Sequence, residues 1–310
     1  MPVSILLSVY NGAAFLPALL RSLQGQSHAN WLLIWRDDGS ADGSRQIVRH
    51  FAESLPQGRC HEVMPDKQRL GVAGSFGLLL DHVPDGHCVA FCDQDDVWFK
   101  DKLERGVQAL GLFLHKGRPA LYCSRQLLTD ARLVPLGPSP ALPENPVFSM
   151  ALTQNIATGC TIVLSPPAVR LVRTGMPPPA ATLHDWWSYL LISGAGGAVV
   201  TDNRPSLAYR QHQGNTVGAQ ARLTARAMAA LRRGPDVFMA TFRANVGTLL
   251  LRTDVVVGGN RALLLDLERV LDMTGLKGCL ARYRLLRTVK TMRRAAFVEQ
   301  QVFRLWFVLG

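Results

Sequence analysis

Residues Cys88-Val-Ala-Phe-Cys-Asp-Gln-Asp-Asp-Val-Trp98 decide the reading of this chain, because an unbroken apolar run stops at a cluster of carboxylates. A run with no polar position suits a strand buried on both faces, the setting of a parallel sheet. The carboxylates then emerge at the strand's carboxyl end, where open α/β sheets bind their ligands.

The flanking sequence repeats the alternation. Val3 to Tyr10, Trp31 to Arg36 and His61 to Met64 read as strands, and Ala13 to Leu23, Gly43 to Glu53, Ala73 to His82 and Lys100 to Leu114 as helices, with Asp42 placed to cap the second helix. This order predicts an α/β fold with a mostly parallel central sheet covered by helices on both faces. After Ala120 come strand-like runs at Ala120 to Ser124, Thr161 to Leu164 and Leu207 to Tyr209. A Pro-rich stretch from Pro135 to Pro146, the breaker Pro177-Pro-Pro179 and a helix opening near His184 lie between them. From Leu223 the chain is helical in composition, with breaks expected at Gly234-Pro235, Gly258-Gly259 and Gly275 to Gly278. A boundary near Gln220 divides residues 1–220 from a helical region 221–310.

The 310 residues are 48% hydrophobic and 18% charged, which excludes a disordered chain. The net charge of +11 raises nucleic acid or a membrane surface as partners. Its distribution is uneven: residues 1–221 carry 18 Lys and Arg against 17 Asp and Glu, residues 222–310 carry 16 against 6. The basic region lacks interleaved aromatic stacking residues and any recognisable nucleic-acid module, so no nucleic acid is expected. Arg282, Arg284, Arg287, Lys290, Arg293 and Arg294 among Leu280, Leu285, Leu286, Val289, Met292 and Phe297 read as an amphipathic helix facing anionic lipid. Helices packed on the rest of the chain with Arg on a solvated face are the alternative. Six scattered cysteines without a CxxC pair predict reduced thiols. The N-terminus carries no basic leader, so no signal peptide is expected. The uncharged stretch Asn145 to Val169 holds three prolines and does not read as a spanning helix. The expected location is cytoplasmic, peripheral at the inner face of the membrane.

The polar residues fall at strand ends. Asp93 and Asp95 suit a hard divalent cation, Mg²⁺ or Mn²⁺, shared with phosphate oxygens. Asp37-Asp38-Gly39-Ser40 closes the second strand, where a carboxylate can accept from a pyrimidine N–H or ribose hydroxyls; an Asp-Gly turn ahead of a capped helix is the simpler reading. His184-Asp185-Trp186-Trp187 sets an Asp beside bulky aromatics, as suits a general base, with His184 the second candidate. In Tyr209-Arg210-Gln211-His212-Gln213-Gly214-Asn215, Arg210 suits phosphate and His212 either phosphate or a third metal ligand.

Together, Ser8-Val-Tyr-Asn-Gly12, Asp37-Asp38-Gly39-Ser40, Asp93-Gln94-Asp95-Asp96-Val-Trp98, Thr158-Gly159-Cys160, His184-Asp185-Trp186-Trp187 and Tyr209-Arg-Gln-His212 resemble the inverting family 2 glycosyltransferases of GT-A fold, over roughly residues 3–218. The acidic and aromatic motifs are most similar to those of bacterial polysaccharide and O-antigen enzymes, notably rhamnosyltransferases. The resemblance implies a GT-A domain over 1–220, a dTDP- or UDP-sugar donor and a glycan or lipid-linked saccharide acceptor. It implies that Tyr10 and Asp38, with Asp37, contact the nucleoside, that Asp93 and Asp95 carry the metal-diphosphate motif, and that Asp185 is the base. Thr158, Gly159 and Cys160 match the segment lining the donor and acceptor pocket, with His184 and Trp186 beside it. The Gln-x-x-Arg-Trp motif of processive synthases is absent. A nucleotidyltransferase would carry a Gly-rich basic loop after the first strand, and Asn11-Gly12-Ala-Ala-Phe-Leu has one glycine and no basic residue. A non-catalytic sugar-nucleotide sensor is the remaining alternative.

Overall fold

The computed structural model describes residues 1–63, 69–114, 117–212 and 223–310. Strands β1 (Val3–Val9), β2 (Trp31–Asp37), β3 (Cys60–Glu62) and β4 (Cys88–Cys92) form a parallel block in the order β3-β2-β1-β4. Their crossovers are α1 (Leu16–Gln24), α2 (Ser44–Glu53) and α3 (Gly71–Asp81). Along β1 the side chains alternate between two cores: Ile5, Leu7 and Val9 pack with Leu19, Leu20 and Val48, while Leu6 packs with Phe76 and Leu79. That is the pattern of a strand covered on both faces.

The sheet continues through β8 (Val163–Leu164), β6 (Ala120–Thr129), β9 (Ala198–Arg210) and β5 (Val97–Trp98), with β7 (Pro135–Pro138) on β6. The long β6–β9 ladder is parallel, and the antiparallel pairings are only two or three residues each, so the sheet is mostly parallel as expected. α4 (Lys102–Leu114), α5 (Phe148–Thr153), α6 (Pro166–Gly175) and α7 (His184–Gly194) cover this half. α8 (Leu223–Leu251), α9 (Gly258–Asp272), α10 (Gly275–Thr288) and α11 (Phe297–Leu309) follow. The expected boundary near Gln220 lies outside the described residues.

Several elements differ from the sequence expectation for identifiable reasons. β9 begins well before Leu207 to Tyr209, because its first half joins Ala198-Val199-Val200 to the polar, partly exposed Thr201 to Arg204, and register shifts in the β6 ladder accommodate Pro205. α6, not expected from the sequence, opens on Pro166-Pro167, with the Ser165 side chain accepting from the Ala168 N–H, so these prolines start a helix. No break occurs at Gly234-Pro235: α8 runs through Pro235, and beyond it Met239, Phe242, Val246 and Leu249 bury into the core that holds Trp187 and Leu191. Packing of that face outweighs the hydrogen bond lost at the proline. Arg282 turns inward instead of toward solvent. Its guanidinium donates to the carbonyls of Val270 (3.1 Å), Met273 (2.9 Å) and Val308 (3.1 Å), satisfying helix-terminal groups of α9 and α11. Arg284, Arg287, Lys290 and Arg293 are exposed. Among the described residues no helix is long and apolar enough to cross a membrane.

One ion-pair network fastens α4 to β6 and β9. Asp202 accepts from Arg105 (2.6 Å), Tyr122 (3.0 Å) and the Arg204 N–H (2.9 Å). Burial alone would raise the Asp202 carboxyl, but the hydrogen bonds from Arg204 and Arg105 outweigh it and hold the group at about 2. Its stabilisation is therefore present above the ordinary carboxylate range and lost as pH falls toward 2. Asp202→Asn should cost about 1 kcal/mol at pH 7, after allowance for solvent screening. Thermal unfolding should show the gap between wild type and variant narrowing on acidification from pH 5 to pH 3.

Candidate active site

Register places the strand ends side by side: Val9 lies opposite Asp37, and Leu7 opposite Cys92. Tyr10, Asp38 and Asp93 therefore leave the sheet together along one edge. The loop after β1 is latched to the loop after β2, with Asn11 N–H donating to Ser40 Oγ (2.9 Å), Gly12 N–H to Ser44 Oγ (2.8 Å) and Ala41 N–H to Asn11 Oδ1 (2.8 Å). Asn11 holds a left-handed φ of 49°, a conformation Asn tolerates.

The two aspartates after β2 behave differently. Asp38 accepts from Leu70 N–H (2.7 Å), Gly71 N–H (2.9 Å) and the buried Arg36 guanidinium (2.6 Å), so it fixes the start of α3. Asp37 Oδ2 accepts from Ser40 N–H (3.1 Å), while its Oδ1 has no hydrogen-bond partner among the described residues. Sequence reasoning missed Arg69, whose guanidinium lies 4.1 Å from the Tyr10 ring centroid.

On the acidic turn, Asp93 and Asp95 are half-buried and Asp96 is buried. Burial first, then the negative charges of Asp95 and Asp185, lifts the Asp93 carboxyl to about 7. Burial pushes Asp96 and the Cys160 thiol well above their ordinary values. One ligand atom each from Asp93, Asp96 and Cys160 lies within 4.8 Å of the others. Of these, the carboxylates suit a hard cation, whereas the soft Cys160 thiol is a poor ligand for one. His212 Nε2 sits 2.8 Å from Asp95 Oδ2 and its ring stacks on Phe15, so the structure brings Asp95 and His212 together. Arg210 is buried. It donates to the carbonyls of Asp95 (3.0 Å) and Ala131 (2.6 Å) and thereby supports the acidic turn from behind. Gly214 and Asn215 lie outside the described residues.

Asp185 opens α7 beside the turn at Gly159. Its Oδ2 accepts from Gly159 N–H (3.1 Å) and its Oδ1 from Trp186 N–H (2.6 Å). Trp186 is anchored through its Nε1 to the Ala151 carbonyl (2.8 Å). Thr158 ends the approach to the turn, its carbonyl accepting from Thr161 Oγ1 (2.7 Å). His184 is sealed between Phe76 (4.1 Å, stacked) and Phe91 (4.7 Å, edge-on), and burial lowers it to about 4. A neutral imidazole so enclosed fills space beneath Gly159, where an added Cβ would lie 3.0 Å from His184 Nε2. Lys102, missed in the sequence, is buried below the acidic turn. Its Nζ donates to the Cys160 carbonyl (2.8 Å), and burial lowers it to about 8.

The sequence signature of glycosyl transferase family 2 matches residues 4–112, which contain the first two strand-end motifs and the acidic turn. Over that segment the chain is similar to family 2 glycosyltransferases. The chain is 24% identical over 235 residues, 69% of its length and 74% of the relative's, to the dTDP-rhamnosyl transferase RfbG of Shigella flexneri. It shares the GT-A fold with S. aureus TarS 1-349 in complex with UDP-GlcNAc, at a TM-score of 0.59 and 14% identity over 93% of this chain and 82% of that one. A mannosyltransferase from Pyrobaculum calidifontis in complex with GDP-Man and Mn²⁺ aligns at a TM-score of 0.50 and 20% identity, over 98% and 87% of the two chains.

Because Asp38 is a buried, triply engaged carboxylate, Asp38→Asn in this enzyme should destabilise by about 3 kcal/mol, the scale for breaking a buried pair. Urea unfolding at pH 7 measures it; an unchanged midpoint would contradict the assigned contacts.

Proposed function

We propose that the enzyme transfers a sugar, with inversion, from a dTDP- or UDP-sugar to a hydroxyl of a glycan or lipid-linked saccharide during cell-surface polysaccharide synthesis. The observation carrying this reading is Asp185: a carboxylate oriented by two backbone N–H groups, close enough to Asp93 for their charges to interact, at the open end of the sheet. Rhamnose is the donor sugar favoured by the likeness to RfbG. Tyr10 and Asp37 Oδ1 suit the nucleoside, while Asp38 keeps the adjoining turn in shape.

Asp185 takes the acceptor hydroxyl proton while that oxygen bonds to the anomeric carbon from the face opposite the diphosphate, whose C–O bond breaks. The nucleoside diphosphate leaves with the bonding pair, and one displacement inverts the centre. Asp93 and Asp95, with His212 beside Asp95, would hold Mg²⁺ or Mn²⁺, which when bound neutralises charge on the diphosphate. Gly159 and Trp186 hold the base, and His184 excludes water beneath it.

The exposed Arg284, Arg287, Lys290 and Arg293, next to the exposed Leu276, Leu280 and Tyr283 of α10, support peripheral attachment at the inner membrane face. At low salt the protein should co-sediment with anionic vesicles and not with neutral ones. Recovery wholly in the supernatant would remove the membrane from this reading.

Asp185→Asn should lower turnover by about 10²-fold or more, measured as nucleoside diphosphate released, with nucleotide affinity nearly unchanged. Normal turnover in that variant would overturn the base assignment. Release of pyrophosphate by the wild type would indicate nucleotidyl transfer instead.

A further inference from the structure

The middle residue of the acidic turn, Gln94, has no part in the chemistry above, yet it is tied to the opposite side of the cleft. Its Nε2 donates to the Tyr10 carbonyl and its Oε1 accepts from the Tyr10 N–H, both at 2.8 Å. The side-chain amide thus gives Tyr10 the donor and acceptor a neighbouring strand would have offered, just where the β1–β4 ladder has ended at Leu7 and Cys92. Gly12 completes the arrangement: a Cβ there would collide with Oε1 and Cδ of Gln94. The backbone at Gly12 is not in the left-handed region, so the absence of a side chain answers to space and not to conformation.

We infer that Gln94 is a positioning residue that sets donor affinity by holding Tyr10 at a fixed separation from Asp93 and Asp95. The inference rests on the reading of these strand ends as the donor site. The nucleoside wall and the diphosphate end belong to different strands, and a ligand spanning both loses affinity if either drifts. No other hydrogen bond recorded among the described residues joins Tyr10 to the acidic turn. Chemistry at the anomeric carbon depends on Asp185 from α7, so loss of the clamp weakens binding and spares turnover at saturation.

The test uses Gly12→Ala, Gln94→Ala and the double variant of the full chain, with UDP and dTDP as probes in the presence of Mn²⁺, by isothermal titration. Gly12→Ala removes the clamp without altering charge, because the end of the Gln94 side chain must swing away. Each single variant should raise the nucleotide Kd about tenfold, with KM for the donor rising in step and kcat within about threefold of wild type. The double variant should bind as Gln94→Ala does, since the added methyl then meets no amide. Single variants that bind like wild type, or a Gly12→Ala penalty that persists without Gln94, would overturn the inference. A wild-type chain that binds neither nucleotide overturns the donor-site reading and this inference with it.

Discussion

Parallel pairing of β1 with both neighbours is the constraint on which the site depends. Its register is held by burial on both faces, Ile5, Leu7 and Val9 toward one core and Leu6 toward the other, so a one-residue slip would exchange the two sets. With that register, three strand ends open along one edge and their polar residues cannot avoid one another. Hydrogen bonds between loops then remove the remaining freedom: Ser40 and Ser44 hold the backbone after β1 from one side, and Gln94 holds it from the other.

Crowding of like charge is the consequence, and environment sorts the carboxylates. Asp38 meets Arg36 and two backbone N–H groups and becomes a structural anion. Asp96 faces the interior, where burial favours its protonated form. Asp93 stays at the cleft, its carboxyl raised first by burial and then by the negative charges of Asp95 and Asp185. Asp185 comes from a different element and is oriented by Gly159. Four aspartates of one type thus have four surroundings, with buried Lys102 supplying positive charge from below.

The parallel half of the fold could be read in the sequence because its strands are buried apolar runs and its helices have clear periodicity. Asp93, Asp95 and Asp185 stood out because carboxylates directly after apolar runs, or beside paired tryptophans, are unusual. Other features depended on partners distant in sequence. Nothing near Asp38 announces that Leu70 and Gly71 will take its oxygens, and nothing near Gly12 announces Gln94. Lys102 sits in a charged stretch that looks solvated, and only packing against Cys160 reveals it as buried. Arg282 misled for the same reason, its amphipathic setting concealing three helix-end carbonyls. α8 passes through Pro235 because tertiary packing overrides local propensity.

The net charge of +11 is divided in the same way. Residues 1–221 are nearly neutral overall and locally acidic at the strand ends, while the excess of Lys and Arg lies in residues 222–310. We propose that a metal-assisted nucleotide-sugar site lies along the β1, β2 and β4 ends. A thermal-shift panel of dTDP-, UDP- and GDP-sugars with and without Mn²⁺ tests it most directly. Stabilisation by a dTDP- or UDP-sugar, and only with metal present, is the expected result. Stabilisation by none of them, or equal stabilisation after metal is removed, would contradict it.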